Sequence, residues 1–292
     1  MGDAAHAESL DHEVFSRPFQ VEPQFESIRT PGNYRGYPEG DRLPDQMKVR
    51  RIQNTGKSIG GAVARSYGFT DSPDAEVLVL GVNTAKEYGA VGIGRHGNVL
   101  LWGYAAPPAQ MTDAGRKLFL NCIHYIHRFD GKGPLIRKIA QHRLNTIRLA
   151  PTQERYWRRR QKAKDPRVTV TPYIPDVITT QFLGDPNGLV QYYQDNIEFI
   201  YQDRQFRVDS ELKSLGFHSN REMATLERLI SLLQDEKHAP TARSLLTRYT
   251  NESFPEPQEW QSWFDQNKER IYFTDVGGYK FLVVPEGYLD AK

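Results

Sequence analysis

The sequence predicts an α+β protein, with an N-terminal mixed β-sheet and covering helices followed by a mainly helical C-terminal domain that ends in a β-hairpin. Short apolar segments separated by turn residues are frequent in the first half, whereas apolar residues at helical spacing dominate the second. A run of charged residues, Glu154 to Lys164, separates the two patterns. We therefore predict a flexible tail over 1–11, a partial α/β domain over 12–150, a basic linker over 151–168 and a helical domain over 169–292.

Composition excludes several classes of protein. The 292 residues carry 38 Lys and Arg against 36 Asp and Glu, a net charge of +2, so no global basic field attracts nucleic acid. The single cysteine, Cys122, excludes an internal disulfide framework and a zinc site built from thiolates. No apolar run reaches the length of about 18 residues that a transmembrane helix needs. We expect no nucleic-acid partner, no transmembrane segment and no cofactor.

The N-terminal residues leave two locations open. Ala4, Ala5 and Ala7 resemble the small residues around a signal-cleavage site, although no apolar core of a signal peptide precedes them. One interpretation is a mature exported protein, and the other is a cytoplasmic protein with a frayed tail. An exported, periplasmic location is our working hypothesis.

The first half contains one helix with clear boundary signals. Thr112 is placed to cap it and Asp113 puts a negative charge in its first turn, so we predict a helix from Thr112 to Phe129. A second helix is predicted over 134–149, because a proline begins it and apolar residues follow at helical spacing. The strands predicted before them are Lys48–Gln53, Gly61–Tyr67, Glu76–Val82, Ala90–Ile93 and Val99–Trp102.

The second half is predicted to consist of helices followed by a β-hairpin. After extended segments at Val168–Tyr173 and Val177–Phe182, a helix is predicted from Gly188 to about Asp203. Ser219 and Glu222 have capping-box spacing and predict the start of a helical hairpin. The turn residues at 275–278 predict the terminal β-hairpin.

Two stretches resemble known families. Asp71 to Lys132 resembles the closing part of ThuA-like domains, which belong to the class I glutamine-amidotransferase-like superfamily. The shared pattern consists of Gly94-Arg95 on a strand, Trp102-Gly103-Tyr104 at the end of the next, a proline loop, a helix with Asn121 and Tyr125, and the earlier segment His12–Phe15. Ala242–Thr250, Trp260, Trp263 and Phe273–Phe281 are similar to a C-terminal module of exported proteins from planctomycete-type bacteria, which carries no known activity.

The sequence also departs from the ThuA-like pattern. Such domains begin with a doubly wound sheet, which has no counterpart before His12 here. The sequence contains no nucleophile elbow, and Cys122 lies on the apolar face of a predicted helix. The resemblance therefore covers about a third of the chain and implies a partial fold relationship without the family's chemistry.

A glycine-flanked loop supplies the candidate ligand site. Arg95 offers an anion contact, His96 follows it, and Trp102 and Tyr104 offer rings that stack on a sugar. The alternative is an ordinary strand–turn–strand with Asn98 in the turn.

Three histidines form a candidate metal site. His124 and His127 are three residues apart on the predicted helix, and His96 is the third ligand if its strand returns beside that helix. The alternative is a pair of surface histidines that pack on neighbouring rings.

The charged run allows two interpretations as well. Arg155 to Lys164, with Tyr156 and Trp157, has the composition of a nucleic-acid patch. Because the net charge is only +2, we expect a solvated linker or helix face instead.

These features predict a non-catalytic binding or assembly protein, exported or envelope-associated, with a protein partner or a homo-oligomeric state. The alternative is a carbohydrate-metabolism enzyme or sugar-binding protein of the ThuA-like type, with a sugar ligand at Arg95, His96, Trp102 and Tyr104.

Overall fold

The chain forms two compact units. The computed structural model describes residues 2–8, 10–37, 40–56, 61–162 and 172–289. Unit 1 comprises residues 2–135 together with 286–289, and unit 2 comprises 136–285. The chain therefore leaves unit 1 once and returns to it after unit 2. The combination of helices with small antiparallel sheets confirms the α+β class.

Unit 1 contains two separate antiparallel sheets of three strands, where the sequence predicted one mixed sheet. The strand orders are β1-β3-β2 and β4-β5-β6, and the strands are β1 (Ala4–His6), β2 (Phe25–Arg29), β3 (Gln46–Arg51), β4 (Ala75–Leu80), β5 (Val91–His96) and β6 (Val99–Trp102). The helices are α1 (Tyr67–Thr70) and α2 (Asp113–Ile126), with 3-10 turns at Glu13–Phe15, Gly32–Gly36, Gly40–Arg42, Pro108–Gln110 and His127–Phe129. The strand predicted over Gly61–Tyr67 is reduced to a single bridge between Ala64 and Val91.

Helix α2 and strand β5 build the core of unit 1. The Thr112 hydroxyl accepts a hydrogen bond from the Gly115 amide at 2.9 Å, which confirms the predicted cap. Leu118 and Cys122 on α2 are fully buried in one apolar cluster with Ile93 of β5. The central strand and the capped helix thereby fix the positions of the residues at their ends.

The N-terminal residues belong to this unit, in contrast to the predicted tail over 1–11. Ala4 and Ala5 lie in β1 opposite Arg51 and Arg50 of β3, and Ala5 is completely buried. Ala5 packs in the main apolar cluster of unit 1 and Ala4 in a smaller one with Val49 and Val82, so both gain burial that a frayed tail would lose.

Unit 2 is mainly helical and has two hairpins. Its helices are α3 (Leu144–Lys162), α4 (Asp176–Gln181), α5 (Pro186–Asp195), α6 (Ser210–Ser214), α7 (Met223–Ser231), α8 (Ala239–Tyr249) and α9 (Pro257–Asn267), with 3-10 turns at Ile197–Phe199, Leu232–Gln234 and Lys268–Arg270. The hairpins are β7 (Ile200–Gln202) with β8 (Phe206–Val208) and β9 (Ile271–Thr274) with β10 (Lys280–Val283). The second is the predicted terminal hairpin, and α7 with α8 is the predicted helical hairpin. Within the described ranges, the structure contains no helix with the length and hydrophobicity of a transmembrane span.

The boundary between the units differs from the predicted linker over 151–168. The basic run continues helix α3 as far as Lys162, and this helix packs on α5 inside unit 2, with Ala150 and Gln153 buried. The extended segment predicted at Val168–Tyr173 lies largely outside the described residues.

The helix predicted over 134–149 begins only at Leu144. The amides of Ile139 and Ala140 donate to the Val276 carbonyl at 2.9 and 3.1 Å, and the Arg143 amide donates to Asp275. These backbone groups pair with the turn of the terminal hairpin, so they are not available to a helix.

Three further predictions in unit 2 were wrong for local reasons. Val177–Phe182 was predicted as extended but forms α4, where the Thr179 hydroxyl donates to the Pro175 carbonyl at 3.1 Å. Helix α5 stops at Asp195 because the Asn196 side chain donates to the Tyr192 carbonyl at 2.8 Å. Ser219 does not cap α7, since its hydroxyl donates to Glu198, and Glu222 occupies the N-cap position without a capping hydrogen bond from its side chain.

Candidate functional site

Arg95 is held at the end of the β4-β5-β6 sheet. Its position on β5 is opposite Glu76 on β4, and its Nε donates to Glu76 Oε2 at 3.0 Å. The Tyr125 hydroxyl on α2 donates to the same carboxylate oxygen. Burial alone raises the pKa of Glu76, but these two hydrogen bonds and the charge of Arg95 hold it below its ordinary value. Glu76 is therefore an ionised anchor for Arg95 at neutral pH.

Two further contacts fix the plane of the Arg95 guanidinium. It lies over the Phe129 ring with its carbon 3.8 Å from the ring centroid, and its Nη1 donates to the Gly97 carbonyl at 3.2 Å. Gly97 has a φ of +54°, and a Cβ at this position would lie 2.6 Å from the Lys132 carbonyl oxygen. Only glycine fits this turn without a backbone shift.

Asp74 lies beside this turn in a dense set of donors. Its carboxylate accepts from the Ser72 hydroxyl at 2.5 Å and the Leu135 amide at 2.9 Å, and the Tyr288 hydroxyl lies 3.1 Å away. His96 Nε2 is 3.3 Å from Asp74 Oδ1, the oxygen that also accepts from Ser72. Burial raises the pKa of Asp74, but the hydrogen bonds from His96, Ser72 and Leu135 outweigh burial and hold the pKa well below its usual range.

A pocket of about 460 Å³ opens between these groups. Arg128, on its rim, forms a bidentate ion pair with Glu13 at 2.7 and 2.5 Å. Tyr288 returns from the far end of the chain, and burial followed by the nearby Asp74 charge raises its pKa to about 12. The pocket is lined by Pro73, Asp74, Arg95, Gly97, Arg128, Phe129, Lys132, Tyr288 and Leu289.

The four residues predicted to form a ligand site do not meet in one pocket. Arg95 lines the pocket, whereas His96 lies behind it against Asp74. Trp102 packs on Phe119 and Tyr104, with ring centroids 4.9 and 5.6 Å apart. Tyr104 is buried, which raises the pKa of its hydroxyl above the ordinary value.

The three predicted metal ligands are not brought together either. His124 and His127 are exposed, and His127 Nδ1 is 2.9 Å from Asp130, whereas His96 faces Asp74. Across the described ranges, no three His, Cys, Asp or Glu side chains are placed to hold a metal ion.

The lone cysteine offers no nucleophile. Cys122 is fully buried in the core of unit 1, and burial raises the pKa of its thiol to about 12. The thiol is therefore neutral at physiological pH, and a neutral thiol is a poor nucleophile.

Sequence reasoning missed most of the pocket. The ligand site predicted from the sequence included Arg95 but not Asp74, Arg128, Phe129 or Lys132. Tyr288 is 214 residues from Asp74, and no local pattern marks it as a pocket residue. The signal that the sequence did contain is Gly97 after Arg95-His96, because a glycine in such a loop allows the backbone to come close to a ligand or to another segment.

The chain matches no protein-family model, no curated protein sequence and no solved structure.

Proposed function

We propose that the protein is a non-catalytic binding protein whose unit 1 holds a small, neutral, hydroxyl-rich ligand of the sugar class. The pocket beside Arg95 carries this proposal. Its volume of about 460 Å³ lies within the range of small-ligand sites.

The chemistry of the lining supports a ligand with both donors and acceptors. Arg95, Arg128 and Lys132 only donate hydrogen bonds, whereas the oxygen of the Tyr288 hydroxyl also accepts them. A sugar hydroxyl does both, so neighbouring hydroxyls of one ring satisfy the two sides of such a pocket.

The charge balance supports a neutral ligand over an anion. Arg95 is offset by Glu76, and Arg128 is offset by Glu13. Because both guanidinium groups already face carboxylates, the pocket gives little net attraction to a free anion. The rings of Phe129 and Tyr288 add apolar surface of the kind that packs on the faces of a sugar ring.

A binding role is supported further by the state of the reactive groups. Glu76 and Asp74 are committed to structural hydrogen bonds, Cys122 is buried, and His127 pairs with Asp130 on the surface. The resemblance of Asp71–Lys132 to ThuA-like domains is a second reason to propose a sugar. The predicted protein partner or homo-oligomeric state remains a prediction.

The test is a titration of the full chain with neutral mono- and disaccharides, in which binding is measured by calorimetry and by amide NMR. We expect the amides of Gly97 and Lys132 to shift with one of these sugars. We also expect Tyr288→Ala to weaken its binding by about tenfold or more, because it removes a wall of the pocket.

Phe25→Ala is the matched control, because Phe25 is an exposed aromatic residue of unit 1 outside the pocket. The Phe25→Ala variant should bind the sugar with the same affinity as the wild type. Absence of binding across the panel, or equal weakening by both substitutions, overturns the sugar site. Conversion of a bound saccharide to product overturns the non-catalytic role.

A further inference from the structure

A second candidate site is a basic groove whose lining residues all belong to unit 2. It has a volume of about 830 Å³ and runs along helix α3 beside the start of α5. From the sequence alone, we expected a solvated linker or helix face here rather than a nucleic-acid patch. The groove is lined by Pro151, Glu154, Arg155, Arg158, Arg159, Lys162 and Pro186.

The cations share one face of α3. Arg155, Arg158, Arg159 and Lys162 have the i, i+3, i+4, i+7 spacing that places side chains above one another on a helix. From the first to the last, the helix rises about 10 Å. The groove therefore presents an elongated row of positive charge.

Three of these cations have no acidic partner among the residues that the structure describes. Of the described lining residues only Glu154 is an acid, and it is committed to Arg158 at 2.6 Å and to the Gly184 amide at 2.8 Å. These hydrogen bonds, from Gly184 first and then Arg158, lower the pKa of Glu154. Arg155, Arg159 and Lys162 form no ion pair with any described side chain, in contrast to Arg160 on another face of α3, which pairs with Asp176.

From this geometry we infer that the groove binds a ligand carrying two or more phosphate or sulfate groups. A single oxyanion is covered by one arginine and a neighbour, whereas the row of unpaired cations extends over about two such groups. Because the whole chain carries a net charge of only +2, the attraction is local to this groove.

A nucleic-acid strand is a poorer fit to the same residues. Binding of single strands combines cations with aromatic rings on which bases stack. Tyr156 and Trp157 do not line the groove, and they lie about 100 and 200° around the helix from Arg155. The Arg155 guanidinium does lie 5.6 Å from the centroid of the Tyr156 ring, but this ring does not line the groove, so the cationic face offers charge without a row of stacking rings.

The experiment is calorimetric titration of the full chain with inorganic triphosphate and, separately, with a sulfated disaccharide. Both probes carry the proposed chemistry, and the tighter one identifies phosphate or sulfate as the natural group. We expect binding at about 50 mM NaCl that weakens at about 200 mM. The double variant Arg155→Gln/Arg159→Gln should weaken binding by about tenfold or more.

The matched control is Lys237→Gln/Lys268→Gln, which removes two exposed positive charges elsewhere in unit 2. It should bind both probes as the wild type does. The single variant Arg159→Gln should lie between wild type and the double variant, and circular dichroism should show full helicity, since both arginines are exposed.

Three results would overturn the inference. These are failure of both probes to bind at the lower salt concentration, equal weakening by the control variant, and tighter binding of a single-stranded oligonucleotide than of either probe. Loss of sugar binding in unit 1 should leave this titration unchanged. The experiments can therefore contradict the sugar site and the anion groove independently of each other.

Discussion

His6 is a histidine that stays neutral inside unit 1. Its side chain is 1% exposed, its Nε2 is 3.0 Å from the Tyr34 hydroxyl, and the Tyr88 ring meets it edge-on at 4.9 Å. Burial, and secondarily the charge of Arg50, lower its pKa to about 4. Protonation of His6 therefore opposes the folded state, whereas the unfolded chain takes up the proton near pH 6.5.

This predicts a pH dependence of the stability of unit 1. Between pH 6.5 and about 4 the unfolded state binds the extra proton, so the free energy of unfolding falls as the pH falls, by up to about 3 kcal/mol. Hydrogen exchange at the Val49 and Arg50 amides of β3 measures it. His6→Gln should remove most of this slope, and an unchanged slope in that variant contradicts the assignment.

At the scale of elements, helix α2 acts as an anchor for a remote loop. Asn121 is fully buried on α2, and its Oδ1 accepts from the Phe19 amide at 3.0 Å. Its Nδ2 donates to the carbonyls of Val14 and Phe19 at 2.8 and 2.7 Å. One side chain thus satisfies three backbone groups of a segment that has little regular structure of its own.

Replacing this anchor should destabilise unit 1. Asn121→Ala leaves those backbone groups without partners in the core, and we expect a loss of about 3 kcal/mol in the free energy of unfolding. Urea unfolding and faster exchange of the Phe19 amide would measure it. Leu120→Ala is the control, because Leu120 is the exposed neighbour on α2 and should change stability by less than about 1 kcal/mol.

The elements that were predictable are those with local signals. The Thr112 cap, strand β6 and the terminal hairpin follow from capping chemistry, apolar patterning and turn residues. The failures have two kinds of cause. The amides of Ile139, Ala140 and Arg143 donate to the distant turn at 275–276, whereas Asn196 ends α5 locally through its own side chain.

The same distinction applies to the candidate site. Arg95 was found because glycines flank it, but Trp102 and Tyr104 were misassigned. Trp102 lies opposite Ile93 of β5, so its side chain faces the apolar cluster of unit 1. Tyr104, two residues further along the chain, has its side chain in the same cluster. The other walls of the pocket come from distant segments, and only the fold brings these together.

At the scale of the whole molecule, unit 1 is closed by a segment that follows unit 2. Residues 286–289 belong to unit 1, and the Tyr288 hydroxyl contacts Asp74 and the Gly133 carbonyl. The last wall of the pocket is therefore separated in sequence from all the others.

Truncation after Pro285 should act on unit 1. It removes Tyr288 and exposes the Asp74 carboxylate on one side. We expect the free energy of unfolding of unit 1 to fall by about 1–2 kcal/mol, and sugar binding to be lost. Thermal unfolding followed by amide NMR would measure both effects. Tyr288→Phe keeps the ring, so it should retain part of the binding, and exchange within α8 should stay unchanged in both variants. Full binding by the truncated chain contradicts the role of Tyr288.

This connectivity also sets an order of events during translation. Tyr288 is added to the growing chain 156 residues after Lys132, which at typical elongation rates takes roughly 10 to 30 s. Throughout that interval the chain lacks Tyr288, which lines the pocket beside Asp74, and all of unit 2 is synthesised before this last wall of the pocket. Under the proposed function, unit 1 therefore becomes able to bind its ligand only after the ribosome has synthesised unit 2.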